Sequence, residues 1–277
     1  MRLRHPDGQT VHLAGLLSPE PENELRDLLT RLETYSGDLS CLSLSLSPAF
    51  ASGLAGSIGM RRRLEMGLSA RGLEVVTLRA AFVHHSWRSW WTYLLDLAYI
   101  LADLLPEDTT HGSISTTVPS LGEDPWESAA RELEDLGSGL TEIAWHTGSF
   151  IRVACAPQEG TLLADIDDSV RLLSSVDPAR IGVCLDPATL AELSETPAQA
   201  LLKLRRAKLN VVKLRLGGAA GSATQALLGA VLGSAHPLCD HFEAAPAALD
   251  EALEEFGILG MAEMEDRPMP GLGRSVA

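Results

Sequence analysis

Residues 180–217 constrain the fold of this chain more than any other stretch. Residues 180–187 (RIGVCLDP) form a short apolar run that ends in a carboxylate, Asp186. Residues 188–208 have helical character, and 210–217 (NVVKLRLG) is a second β-rich run that carries Lys213 and Arg215. Two strands joined by a helix make a βαβ unit, which within one sheet must be parallel and right-handed. The acid ending the first strand and the cations on the second then point into one rim.

The same unit recurs along the chain. Strands are expected at 10–17, 39–47, 73–82, 111–118, 150–157, 180–187, 210–217 and 237–244. Between and after them run helical stretches. The first places Leu25, Leu28, Leu29 and Leu32 on one face. The others are expected at 49–70, following 86–93 and running to Leu105, at 123–137 with a glycine stop, within 161–173, and at 188–208, 223–232 and 246–256. Eight strands alternating with eight helices in about 250 residues is the pattern of a (β/α)8 TIM barrel. The reading is a single α/β domain over 1–266, with 267–277 a flexible tail. An open doubly wound sheet is the alternative, but neither GxGxxG nor a P-loop motif occurs to support it.

Charge narrows the partners. The formal net charge is −15, which repels phosphate backbones and anionic lipid, so a nucleic-acid partner is not expected. No run approaches the ~20 apolar residues of a membrane span, and the first residues lack the apolar core of a signal peptide. A cytoplasmic protein acting on a small-molecule metabolite is the expectation, with a homodimer or a pathway protein partner left open. Cys41, Cys155, Cys184 and Cys239 form no CxxC pair and each lies in an apolar run, which reads as buried free thiols.

In a TIM barrel the active site lies at the carboxyl ends of the strands. Those ends supply Arg79, His84 and His85; Ser115 and Thr116; Gln158 and Glu159; Asp186; Lys213 and Arg215; and Asp240, His241 and Glu243. This set suffices for proton transfer beside a carbonyl, and its oxygens and imidazoles also suit a divalent metal. Lys213 inside an apolar strand is costly to bury unless paired, and Asp186 or Glu243 is the expected partner. His241 and Glu243 are two residues apart and so share one face of a strand. His84 and His85 are adjacent and cannot both face one site. Asp186 precedes Pro187 and could equally cap the next helix. Trp87, Trp90 and Trp91 crowd after the third strand, either packing over the barrel end or, through Trp87, walling a ligand.

Four stretches in order resemble the xylose-isomerase-like TIM-barrel superfamily, of the sugar-phosphate isomerase/epimerase type, and within it the EboE-like metabolite-traffic proteins. They are residues 92–106 followed by 111–119 (HGSISTTVP), 181–187 (IGVCLDP), 211–216 (VVKLRL) and 240–244 (DHFEA). Together they span about residues 10–250. The resemblance implies a metal at the rim, with Asp186, His241 and Glu243 as the remaining ligands for zinc, manganese or iron. The chain also departs from the family. Its fifth strand ends in CAPQ (155–158) where the family has Glu-Pro-Glu-Pro, Thr189 stands where a histidine is expected, and 79–82 (RAAF) replaces Asn-Gly-Phe-Pro. A metal-free site, with Arg79 and Lys213 supplying the positive charge, is the alternative.

The implied function is an isomerase/epimerase-like enzyme, or a related lyase, of specialised metabolism. Asp186, Lys213, His241, Glu243 and Arg79 would carry catalysis, and His84, Ser115, Thr116, Gln158, Arg215 and Trp87 would line the substrate. The alternative is a non-catalytic metabolite-binding or metabolite-traffic protein that has lost the family metal site.

Overall fold

A computed structural model of the chain describes residues 1–17, 25–35, 37, 39–81, 86–217 and 221–264. The expected tail at 267–277 and His84 lie outside the described residues. Eight parallel strands form the barrel: β2 (Thr10–Leu17), β3 (Cys41–Leu46), β4 (Glu74–Ala80), β5 (His111–Thr116), β6 (Phe150–Cys155), β7 (Ile181–Leu185), β8 (Val211–Leu216) and β9 (His241–Ala244). Each pairs in parallel with the next, and β9 closes on β2 with His241 opposite His12 and Glu243 opposite Ala14. The fold is a closed single-domain (β/α)8 barrel. Two short strands add an antiparallel edge, β1 (Arg2–Arg4) against β2 and β10 (Ala262–Glu263) against β1. Sequence reasoning missed both, because two or three residues are too few to show a period.

Among the described residues ten α-helices surround the strands: α1 (Leu25–Glu33), α2 (Pro48–Ala55), α3 (Ile58–Ser69), α4 (Trp87–Leu104), α5 (Pro125–Thr147), α6 (Ile166–Leu173), α7 (Pro187–Glu192), α8 (Pro197–Arg206), α9 (Ser222–Leu232) and α10 (Leu249–Ile258). Two helices expected as single pieces are broken. The 49–70 stretch divides at Gly56–Ser57, where the Ser57 hydroxyl accepts from the Met60 N–H and starts α3. The 188–208 stretch divides before Thr196, which opens α8 with a capping box to Gln199. A third runs longer than expected. Gly137 does not stop α5, which buries Leu133, Leu136, Leu140 and Ile143 on one continuous face and ends ten residues later. The stop is Gly148, whose φ of 77° is the left-handed conformation favoured at a helix end. Among the described residues no helix is long and apolar enough to cross a membrane.

The apolar core lies outside the barrel rather than within it. Outward-facing Leu42, Leu44, Leu78, Ile114, Val153, Val183 and Leu214 pack against helix residues such as Leu28, Leu54, Trp90, Leu97 and Leu140. Inside the barrel the apolar residues are small: Ala14, Cys41 and Val76 in one group, Ala154, Ala156 and Cys184 in another. The four cysteines are buried and free, as expected. Burial pushes the Cys155 thiol up to about 12, so it is protonated and no nucleophile at neutral pH.

Gly137 is inside a helix with nothing within 4 Å of where a Cβ would sit, whereas at Gly139 a Cβ would come 2.9 Å from Leu95. Gly137→Ala therefore stabilises the fold by about 0.5–1 kcal/mol. Gly139→Ala gains nothing, because Leu95 must shift. Denaturant melts of the two variants against wild type check the contrast.

Candidate functional site

The barrel interior carries ionisable side chains because alternate residues of each strand face inward. On β3, Ser43 and Ser45 are level with Thr77 and Arg79 of β4, which are level with Ser113 and Ser115 of β5. On the opposite wall, Lys213 and Arg215 of β8 stand beside Cys184 of β7 and Glu243 of β9. The Leu/Ser alternation of 41–46 is the sequence signal for the polar wall of β3.

Toward the carboxyl ends, Glu243 and Lys213 form a fully buried ion pair, both 0% exposed. Lys213 Nζ donates to Glu243 Oε2 at 2.7 Å and to the Leu78 carbonyl at 3.1 Å. The Ser43 hydroxyl donates to the same carboxylate oxygen at 2.5 Å, and the Arg79 guanidinium pairs with the other oxygen. Burial would raise the Glu243 carboxyl, but Lys213 and Arg79 outweigh it and hold the group down to about 2. Burial also pulls the Lys213 ammonium below its ordinary value, with Glu243 opposing. Of the two partners expected for Lys213, the fold selects Glu243.

Asp186 is placed otherwise. Its Oδ1 accepts from the Ala188 N–H at 2.9 Å, capping α7, and its Oδ2 lies 3.6 Å from Arg215 Nε. Both anticipated roles, cap and rim acid, are compatible with this position. Arg79 Nε, Arg215 Nε and Ser115 Oγ are also buried and have no hydrogen-bond partner among the described residues. The Arg79 side chain is 28% exposed, so this charge reaches the rim.

The other expected residues separate from this group. Thr116 accepts a hydrogen bond from Trp90 Nε1 at 3.2 Å, placing it toward α4. Trp87 donates to the Leu121 carbonyl at 3.3 Å and packs edge-on against Trp90. Gln158 lies exposed in the loop after β6. His241 is buried in the amino-terminal half of the barrel, its Nδ1 2.8 Å from Ser113 Oγ. There Asp240 pairs with Arg152 at 2.8 Å and with His111. Burial pushes His241 down to about 3, against the pull of Asp240.

A divalent ion does not fit the expected donor set of Asp186, His241 and Glu243. Among the described residues, the three metal-type donors that gather within 4.8 Å are His111, Asp240 and His241, not these. Glu243 already faces an ammonium and a guanidinium, which would repel a cation. Sequence reasoning overlooked Ser43, His111 and Arg152, each of which reads from sequence as an ordinary strand residue.

No family model matches the sequence, and no curated protein matches it. Solved structures do. A xylose isomerase domain protein from Alicyclobacillus acidocaldarius subsp. acidocaldarius is similar at TM-score 0.58 and 14% identity, over 90% of this chain and 100% of that one. The 3-keto-D-glucoside 4-epimerase of E. coli is similar at TM-score 0.57 and 11% identity, over 90% and 99%. A D-allulose 3-epimerase from Methylomonas sp. is similar at TM-score 0.60 and 9% identity, over 88% and 86%. The chain has the fold of the xylose-isomerase-like TIM barrels.

Glu243→Gln leaves the Lys213 ammonium buried with a neutral partner and costs about 3–5 kcal/mol, a fall in Tm of about 10 °C. The apolar pair Lys213→Met with Glu243→Leu is closer to wild type than this single variant in the same thermal melts. Because the folded Glu243 value lies below the unfolded one, its ion pair stabilises fully above about pH 4.5. That contribution is lost as pH falls toward 2. Melts from pH 7 to pH 2.5 show less acid destabilisation in Glu243→Gln than in wild type.

Proposed function

We propose that this xylose-isomerase-like barrel is a small-molecule enzyme of the isomerase or epimerase type, in which fixed cations do the work of a metal. The observation that carries the reading is the set of buried donors without a hydrogen bond among the described residues, Arg79 Nε, Arg215 Nε and Ser115 Oγ, with the Asp186 carboxylate 3.6 Å from Arg215 Nε. Buried polar groups are nearly always paired, so donors left open at the rim of a barrel call for a ligand rich in oxygen. A polyhydroxylated ketone matches them. Its carbonyl and neighbouring hydroxyls would accept from the guanidinium and hydroxyl donors.

Proton transfer next to that carbonyl needs a base and a stabilised oxyanion. Asp186 is the base in this scheme: one of its oxygens caps α7, and the other faces Arg215 and retains an open lone pair. Arg79 and Arg215 would hold the negative charge that develops on the substrate oxygen. Lys213 and Glu243 lie beneath, too enclosed to touch substrate, and position Arg79 through the shared carboxylate. The epimerase names of the similar structures support a sugar-like substrate class. A charge of −15 fits a neutral small molecule better than a polyanion.

A second reading is a metabolite-binding protein without turnover. It is favoured by the engagement of both carboxylates: Glu243 lies between two cations, and Asp186 serves partly as a helix cap.

Incubation of the protein with ketohexoses in deuterated water, followed by proton NMR, separates the two. Deuterium enters at the carbon beside the carbonyl in wild type. Asp186→Asn slows exchange about 10²–10⁴-fold, and Arg79→Met slows it about 10²–10³-fold. Saturable ketose binding without any exchange would favour the second reading, and no binding at all would remove both.

A further inference from the structure

We propose that the amino-terminal mouth of the barrel is a binding site for a transition-metal ion of the zinc class, held by His111, Asp240 and His241. The three residues each offer a ligand atom, and these atoms lie within 4.8 Å of one another. The site stands at the opposite end of the barrel from the rim described above, and it does not depend on that function.

The hydrogen-bond network fixes the state of the deepest ligand. The Thr77 hydroxyl donates to the Ser113 carbonyl oxygen at 3.0 Å, which commits its proton. Ser113 Oγ, 2.9 Å from Thr77 Oγ1, therefore donates to it. Ser113 Oγ is then free to accept, and its remaining neighbour is His241 Nδ1 at 2.8 Å. The imidazole proton of His241 is thus on Nδ1, and Nε2 carries a bare lone pair. That Nε2 is buried and has no partner among the described residues, in a side chain that is 0% exposed. A buried lone pair with no donor lacks the compensation that buried polar atoms normally have. A cation supplies it.

The other ligands are oriented in the way metal ligands are. Arg152 donates to Asp240 Oδ1 at 2.8 Å, leaving Oδ2 toward His111. His241 is turned by Ser113, and Ser113 by Thr77, an outer shell of the kind that fixes a ligating imidazole. His12, directly opposite His241 on β2, brings a further imidazole whose Nδ1 is also buried and unpartnered. Two imidazoles and one carboxylate suit zinc or a neighbouring first-row metal rather than magnesium or calcium, which prefer oxygen alone. Binding would replace the His111 Nε2–Asp240 contact with two bonds to the ion, with each imidazole ligating in its neutral form. The ion would tie β5 to the start of β9, the four-residue strand that closes the barrel. At this face of a TIM barrel the expected consequence is stability rather than chemistry.

The test is zinc titration of chelator-treated, desalted protein by calorimetry, with bound zinc counted by elemental mass spectrometry. The result expected is one saturable equivalent in wild type and a zinc-dependent rise in Tm. His111→Ala, a partly exposed position unlike His241, and Asp240→Asn abolish both, while Asp186→Asn at the other rim leaves them intact. Absence of saturable zinc in wild type would overturn the proposal. So would zinc held equally by every variant, which marks surface binding, or zinc lost only in Asp186→Asn, which places the ion at the carboxyl rim.

Discussion

The ion pair between Lys213 and Glu243 sets the terms for the rest of the barrel. Two opposite charges in a site without water cost several kcal/mol each to desolvate, and only close contact with further hydrogen bonds repays that. The surroundings provide it: Ser43 and the Leu78 carbonyl complete the pair, and Arg79 shares the carboxylate. These groups are spread over four strands, β3, β4, β8 and β9, so the pair draws strands from both sides of the barrel to one register. Small inward residues such as Ala14, Ala154 and Cys184 leave the space these long side chains occupy. The apolar core then has to lie between strands and helices, where it is found.

That arrangement divides the interior into two chemically different ends. At the carboxyl rim the surplus of fixed charge is positive, with Arg79 and Arg215 beside one capped carboxylate. Such a rim welcomes oxygen-bearing molecules and discourages a metal ion. At the amino-terminal mouth the groups are imidazoles and one carboxylate paired with Arg152, with burial keeping His241 neutral. The Ser113–Thr77 pair separates the two ends and gives His241 its tautomer. The likeness to known epimerase structures therefore covers the frame, while the polar contents of the barrel follow this chain's own sequence.

Much of the frame was legible in the sequence. Seven of the eight strands fall within two residues of their expected bounds, since a buried parallel strand leaves a continuous apolar run between helical stretches. The misplaced helix breaks have a common cause: Ser57 and Thr196 start new helices through side-chain caps, and a cap residue looks like any surface serine or threonine inside an amphipathic pattern. Gly137 misled in the other direction. A glycine in a helix is tolerated when flanking leucines keep one face buried, and the stop depends on the left-handed backbone at Gly148.

By itself the sequence determined the alternation of strands and helices, the inward face shared by His241 and Glu243, and the need of Lys213 for an anion. These are local facts: a period, a spacing of two, and a charge in an apolar run. Tertiary structure alone decided that Glu243 rather than Asp186 meets Lys213, that Asp186 meets Arg215, and that His241 joins His111 from the far wall. Strand register and barrel closure bring together residues more than a hundred positions apart, such as His111 and Asp240, and no local pattern encodes that distance.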